Sequence, residues 1–136
     1  MLNLAHLNLQ NAHISNSVAQ YKESGMWFRK LTIEDPSNPD PYYNLAKMNE
    51  FGLGTVRDQK QAFSYYKKAA SLHHAESLSK CGDFIYSGKM NGGLSDKNEA
   101  KKYYLKAAEL GSATAINSLG LLAEPENKEE ATSLYR

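Results

Sequence analysis

AFSYYKKAASLHHA, Ala62 to Ala75, is answered 38 residues later by AKKYYLKAAELGSA, Ala100 to Ala113. The identities fall at Ala62/Ala100, Tyr65/Tyr103, Tyr66/Tyr104, Lys68/Lys106, Ala69/Ala107, Ala70/Ala108 and Ala75/Ala113. Self-similarity at a fixed offset of this size marks a repeat array, whose units cannot bury their apolar faces without a neighbour. Ala62, Tyr66, Ala69 and Ala70 lie at i, i+4, i+7 and i+8, which is one face of a helix. The tyrosine rings fill volume between helix pairs, and their hydroxyls are able to reach water or backbone acceptors. Lys67, Lys101 and Lys102 project to solvent.

Each copy is preceded by another helical stretch. Pro41 to about Phe51 carries Tyr42, Leu45, Ala46 and Met48, with Asp40 as cap and Pro41 in the first turn. Gly52-Leu53-Gly54 stops it. Asp58 then opens the next helix, with Gln61 at capping-box spacing. Ala75 to Tyr86 turns Leu78, Cys81, Gly82 and Ile85 inward. Ser87 to Ser95 is a Gly-rich loop, and Asp96 with Glu99 repeats the capping pair before a helix that Gly111 ends. Ala113 to about Ala123 follows, then a turn at Glu124-Pro125-Glu126, and Asn127 with Glu130 opens an eighth helix. Small residues Ala46, Gly82 and Gly120 share one register, each preceded by Leu45, Cys81 or Leu119, so that a partner helix approaches closely. Toward the N-terminus, Val18, Tyr21, Gly25, Phe28 and Leu31 keep helical spacing up to about Glu34. Asn11 to Ser17 is a turn, and Met1 to Gln10 is an amphipathic helix with Leu4, Leu7 and Leu2 on one side. Residues 131–136 correspond to 62–67, without the Lys and Ala pair that should follow. This predicts a piece of a longer array, or an edge that a partner covers.

The 136 residues suit a few repeats, and a net charge of +1 argues against nucleic acid or an anionic membrane as partner. No apolar run approaches the roughly 18 residues of a membrane span. The N-terminus lacks the charged and continuous apolar regions of a signal peptide. The single cysteine, Cys81, has no internal disulfide partner, which favours a reducing compartment, cytoplasmic or an organelle interior.

Few residues suggest chemistry. GKMNGG, residues 88–93, lacks the order of a phosphate-binding loop and follows a helix rather than a strand. It reads as an enlarged inter-helix turn. His73 and His74 are adjacent, so a helix would not aim both at one metal, and they read as turn residues. His6 and His13 have no Cys or carboxylate at ligand spacing. Cys81 falls in core register without a local base. Arg57, Lys60, Lys67, Lys68, Lys97, Lys101, Lys102 and Lys106 form a strip along second helices, interspersed with acids, and read as a solvated convex face. No catalytic set, cofactor site or metal site emerges.

Residues 45–75 resemble a Sel-1-like repeat. Leu45, Gly52, Gly54, Asp58, Ala62, Tyr66, Lys68, Ala69, Ala70 and Ala75 meet that family's pattern, with Ala46 and Thr55 departing from it. Residues 27–38, WFRKLTIEDPSN, resemble the close of a tetratricopeptide repeat. The resemblance implies an all-α fold, an α-solenoid wound as a right-handed superhelix of antiparallel helix pairs, with about eight helices here. One repeat domain is expected over 1–136, divided into a degenerate unit (1–40), repeats at 41–74 and 75–112, and a truncated repeat (113–136). It further implies a non-enzymatic scaffold or adaptor, a subunit of a larger assembly that binds protein partners, with neither nucleic acid nor a small-molecule substrate. Such adaptors serve signalling, quality control, cell-wall synthesis or organelle assembly. Related helical repeats bind through the concave face of their first helices. That register selects Tyr43, Lys47, Glu50, Ser79, Asp83, Tyr86 and Asn117 as exposed partner-binding positions. The alternative is a docking or regulatory segment of a larger enzyme or of an enzyme-activating subunit.

Overall fold

The computed structural model describes residues 4–7, 9–10, 18–90 and 92–123, and all regular structure among them is helical. Two compact units divide the chain, Met1–Leu72 and His73–Arg136. In the first, helical residues at 4–7 and 9–10 precede α1 (Val18–Glu34), α2 (Pro39–Phe51) and α3 (Gln59–Ser71). The second holds α4 (Ala75–Ser87), α5 (Lys97–Glu109) and α6 (Ala113–Ala123). The expected turn at 11–17, Leu2 and His13, the pair Asn127/Glu130 and the eighth helix lie outside the described residues.

Capping chemistry sets where helices begin. Asp58 accepts from the Gln61 N–H at 3.0 Å and Asp96 from the Glu99 N–H at 3.1 Å, as their spacing predicts. The reciprocal half of each capping box is replaced. The Asp58 N–H bonds the Asn49 carbonyl at 2.8 Å, and the Asp96 N–H bonds the Ile85 carbonyl at 3.4 Å. Asn49 and Ile85 hold the same register, so each second helix is tied by its first residues to the end of the helix before it. One cap differs from expectation. α2 starts at Pro39, and Asn38 rather than Asp40 is the cap, accepting from the Asp40 N–H at 3.1 Å. The first-turn N–H groups of a helix have no partner, so Pro39 and Pro41 both fit there without loss.

In the first unit the helices run antiparallel. The start of α3 meets the end of α2, where Tyr66 and Glu50 are bonded, while Lys68 near the end of α3 lies over the ring of Tyr42 at the start of α2. α1 buries Tyr21, Ser24, Gly25, Phe28 and Leu31. Val18, expected inward, is exposed, because Ser24 completes that face and Val18 stands one turn too early. Ala5, Tyr21, Phe28, Leu31, Leu45 and Met48 form the core cluster, with Leu9 packed on its edge. Leu4 and Leu7 are exposed, so the N-terminal stripe is Ala5 and Leu9 instead. Two long-range contacts orient this segment. His6 stacks edge-on to Phe28 at 5.5 Å, and its Nε2 lies 2.8 Å from Asp40 Oδ2. At the α2–α3 turn, Gly54 (φ 73°) leaves no room for a side chain, since a Cβ would stand 2.6 Å from the Cβ of Tyr21 and 2.8 Å from the Lys22 nitrogen. The turn therefore sits directly on the α1 backbone.

In the second unit, α4 buries Ser77, Leu78, Ser79, Cys81, Gly82 and Phe84. Ile85, expected inward, is half-buried, and Phe84 takes the deeper place. Antiparallel pairing with α5 is fixed at both ends. Asp96 bonds Ile85 at one, and at the other Ser112, just past α5, reaches Glu76 at 3.4 Å. Between them, the Tyr104 ring fills the space over Gly82, where a Cβ would lie 2.6 Å from ring carbon Cε1. The small residue read from the repeat register is thus a contact requirement. Gly82→Ala should destabilise this unit by about 1–3 kcal/mol, because the ring cannot move without opening the helix pair. Urea unfolding followed by circular dichroism measures this, and an unchanged midpoint would show that the pair tolerates the displacement.

Candidate functional site

The residues selected for partner binding fall on two faces, one in each unit. In the first, Tyr43, Lys47 and Glu50 follow at i, i+4 and i+7 along α2, and all are half-buried. The Lys47 ammonium lies 5.3 Å from the Tyr43 ring centre, and that ring lies 5.9 Å from the ring of Tyr66. Glu50 Oε1 accepts the Tyr66 hydroxyl at 2.6 Å. Tyr43 and Glu50 thus meet a ring that is itself fully buried, Tyr66 at 0% exposure, and Lys47 joins them through Tyr43.

In the second unit, Asp83 and Tyr86 stand on the exposed side of α4, and Tyr86 is 42% exposed. Asp83 Oδ1 accepts the Tyr104 hydroxyl at 2.5 Å. Asn117 is exposed on α6. Ser79 is different. It is 3% exposed and belongs to the helix packing. Ser79 shares its register with Tyr43, and a serine there is too short to extend past its neighbours to an open face.

Tyr66 and Tyr104 are the repeat's equivalent tyrosines, yet they bond carboxylates at different registers, Glu50 four residues after Ala46 and Asp83 one residue after Gly82. The small residue explains the difference. Gly82 lets the Tyr104 ring settle where a Cβ would otherwise be. Ala46 carries that carbon, so Tyr66 is denied the same seat, and the register of Asp83 is held in α2 by Lys47. The tyrosine hydroxyls, expected to find water or backbone, find surface carboxylates instead. An acid one or four residues after the small position is the sequence signal that would have located these bonds.

Burial, then the bond to Asp83 and the repulsion of its charge, push the Tyr104 phenol well above the usual tyrosine range. Tyr103 is also raised, first by burial and then by Cys81 and Glu99. The remaining candidates resolve as structure. His73 adopts φ 63° in the turn before α4. His74 caps α4, its Nδ1 accepting from the Ser77 N–H at 3.2 Å. In the 88–93 loop, the Gly93 N–H bonds the Gly88 carbonyl at 2.8 Å. Arg57, Lys60, Lys67, Lys68, Lys97, Lys101, Lys102 and Lys106 are all exposed. Among the described residues there is no group of three or more metal-ligating side chains, and no helix is long and apolar enough to cross a membrane.

The Sel1 repeat family model matches residues 42–74 and 75–112, about half of the chain. The chain is a Sel1 repeat protein. Among solved structures it is similar to a Sel1 repeat protein from Oxalobacter formigenes, with 27% identity and a TM-score of 0.76 over 98% of this chain and 55% of that one. It is also similar to c5321, a protective antigen present in uropathogenic Escherichia coli strains that displays the same type of repeat fold. There the identity is 25% and the TM-score 0.71, over 85% of this chain and 25% of that one. The chain thus spans about half of the first neighbour's length and a quarter of the second's. No curated protein matches it. The all-α, solenoid class read from the repeat is the class these neighbours share. Sel1 repeat proteins are generally protein-interaction scaffolds, and the fold is typically non-catalytic.

The Tyr104–Asp83 bond predicts an alkaline limit for the second unit. A phenol with a raised folded pKa contributes stability that is complete below the unfolded value of 10.0 and is lost as pH climbs beyond it. The unfolding free energy should therefore be flat with respect to this group at neutral pH and fall above 10.0, with Tyr104→Phe flattening the alkaline fall. Urea titrations of both proteins across pH 7–11 check this. Parallel curves would remove the buried phenol as the cause.

Proposed function

We propose that this Sel1 repeat protein is a non-catalytic scaffold, built on repeats at 41–74 and 75–112, that engages a protein partner and serves as a subunit of a larger assembly. The proposed contact residues are Tyr43, Lys47 and Glu50 on α2, with Asp83 and Tyr86 on α4 and Asn117 on α6. Ser79, being buried, acts in support of α4. The observation that carries this reading is the fixation of both carboxylates. Glu50 and Asp83 are each bonded by the buried tyrosine of the following helix, at 2.6 Å and 2.5 Å. Surface acids normally lose rotamer freedom on binding, at about 0.5–1.5 kcal/mol per side chain. Here folding has already ordered them. A tyrosine stands on the same face in each unit, and Tyr is enriched among the residues that dominate binding energy. Held charges then fix the partner's orientation.

Tyr86→Ala combined with Asp83→Asn, which keeps an acceptor for Tyr104, tests the face on α4. Tyr43→Phe with Lys47→Ala tests the face on α2. In affinity capture from the native source with mass spectrometry, partners recovered by the wild type should be depleted at least about tenfold by either pair of substitutions, as loss of one hot-spot residue implies. Equal recovery on all three baits, with matching circular dichroism, would refute this face as the contact surface.

A further inference from the structure

A cleft of about 280 Å³ lies in the first unit, away from the face just described. One wall is α1, which contributes Lys22, Gly25, Met26 and Arg29, at i, i+3, i+4 and i+7. The opposite wall is the end of α2 and its turn, including Met48 and Leu53. The floor is apolar and closely packed. Gly25 has no side chain, and a Cβ there would meet Met48 Cε at 3.3 Å. Arg29 folds back across this gap. Its Nη1 and Nη2 lie 3.6 and 3.8 Å from the position that Cβ would occupy. Among the described residues, both lining charges, Lys22 and Arg29, are positive, and no carboxylate lines the cleft. Neither cation has an ion-pair partner among the described residues. Met26 is 64% exposed at the rim, and an unbranched thioether adapts to varied apolar shapes.

We infer that this cleft is a docking site for a partner's peptide segment in which one aliphatic side chain is flanked by acidic residues. The aliphatic group would rest in the cleft between Met26 and Leu53. The adjacent carboxylates would pair with Arg29, whose planar fork suits bidentate bonding, and with Lys22. Charge complementarity selects an acidic segment over a basic or neutral one, since a cation lying against apolar surface without a counter-ion gains most from an incoming carboxylate.

The probe is a fluorescein-labelled, end-capped nonapeptide with a central Leu between Asp and Glu residues, followed by fluorescence anisotropy on the full chain at low salt. It should bind the wild type, and Lys22→Glu/Arg29→Glu should weaken it at least about tenfold. Lys60→Glu/Lys106→Glu makes the same change in net charge at exposed positions elsewhere and should leave binding intact. Two altered probes complete the test. Replacing Leu by Ser, or each acid by Lys, should abolish binding. No binding of the Leu probe at about 1 mM protein would overturn the inference. So would equal loss in both charge variants, or equal binding of the Ser probe, since these mean general electrostatic attraction without a cleft. Circular dichroism confirms that each variant is folded, and Met48→Leu, which keeps the apolar volume, should retain the probe. Tyr86→Ala should not affect the probe, so this result is separable from the fate of the α4 face.

Discussion

A buried tyrosine ring on the second helix sets the geometry of each helix pair. Tyr104 covers Gly82 at a distance no Cβ would permit, and Tyr66 is fully buried opposite α2. The same side chain carries a polar end that burial cannot leave idle, because an unsatisfied buried hydroxyl costs about 1–3 kcal/mol. Asp83 and Glu50 meet that need. Packing and surface electrostatics are thereby joined in one side chain. The ring fixes the distance between helices, and its hydroxyl fixes an acid on the outer face of the first helix. A change in the small residue therefore propagates outward. Ala46 in place of glycine shifts the seat of the ring, and the bonded acid moves from one register to another.

Much of this was legible in local pattern. The duplicated Ala-Tyr-Lys-Ala stretch gave the helix pairs, and Asp58 and Asp96 gave their starts, because capping involves residues two or three apart. Contacts between residues distant in sequence leave no such local signal. His6 and Asp40 are 34 residues apart, and no spacing rule connects them. The choice of Ala5 over Leu4 and Leu7 as the inward residue follows from how that segment meets Phe28, which periodicity over seven residues does not define. Phe84 and Ile85 are adjacent apolar residues, and the direction of α4 relative to α5 decides which goes deeper. Asn38 displaced Asp40 as cap because proline tolerance in a first turn leaves two competing starts.

The candidate face was legible in register and not in accessibility. Counting from Ala46 and Gly82 places Tyr43 and Ser79 at one position, yet a tyrosine there extends to stack on Tyr66 while a serine disappears into the packing. Equivalent positions in a repeat share a backbone and a direction. Whether they share a surface depends on side-chain length and on what the next helix places beside them. This is why the α2 face presents an aromatic ring with a lysine over it, whereas the α4 face presents an acid and an exposed tyrosine.

Glycine shows the same point from the opposite side. Gly25 fits the apolar stripe of α1, and in sequence it counts as one more small core residue. In a helix interior it costs about 0.5–1 kcal/mol relative to alanine. What it yields is the cleft floor, with Arg29 laid across it. At Gly82 the missing side chain is filled by Tyr104, whereas at Gly25 it is filled by Met48 Cε and a guanidinium that has no ion-pair partner among the described residues. Glu50 and Asp83 are held by buried phenols, each in its own unit, whereas Lys22 and Arg29 have no ion-pair partner among the described residues. A gap filled by an uncharged ring stabilises the pair that encloses it, and one closed by an exposed cation leaves that charge available to an acidic ligand.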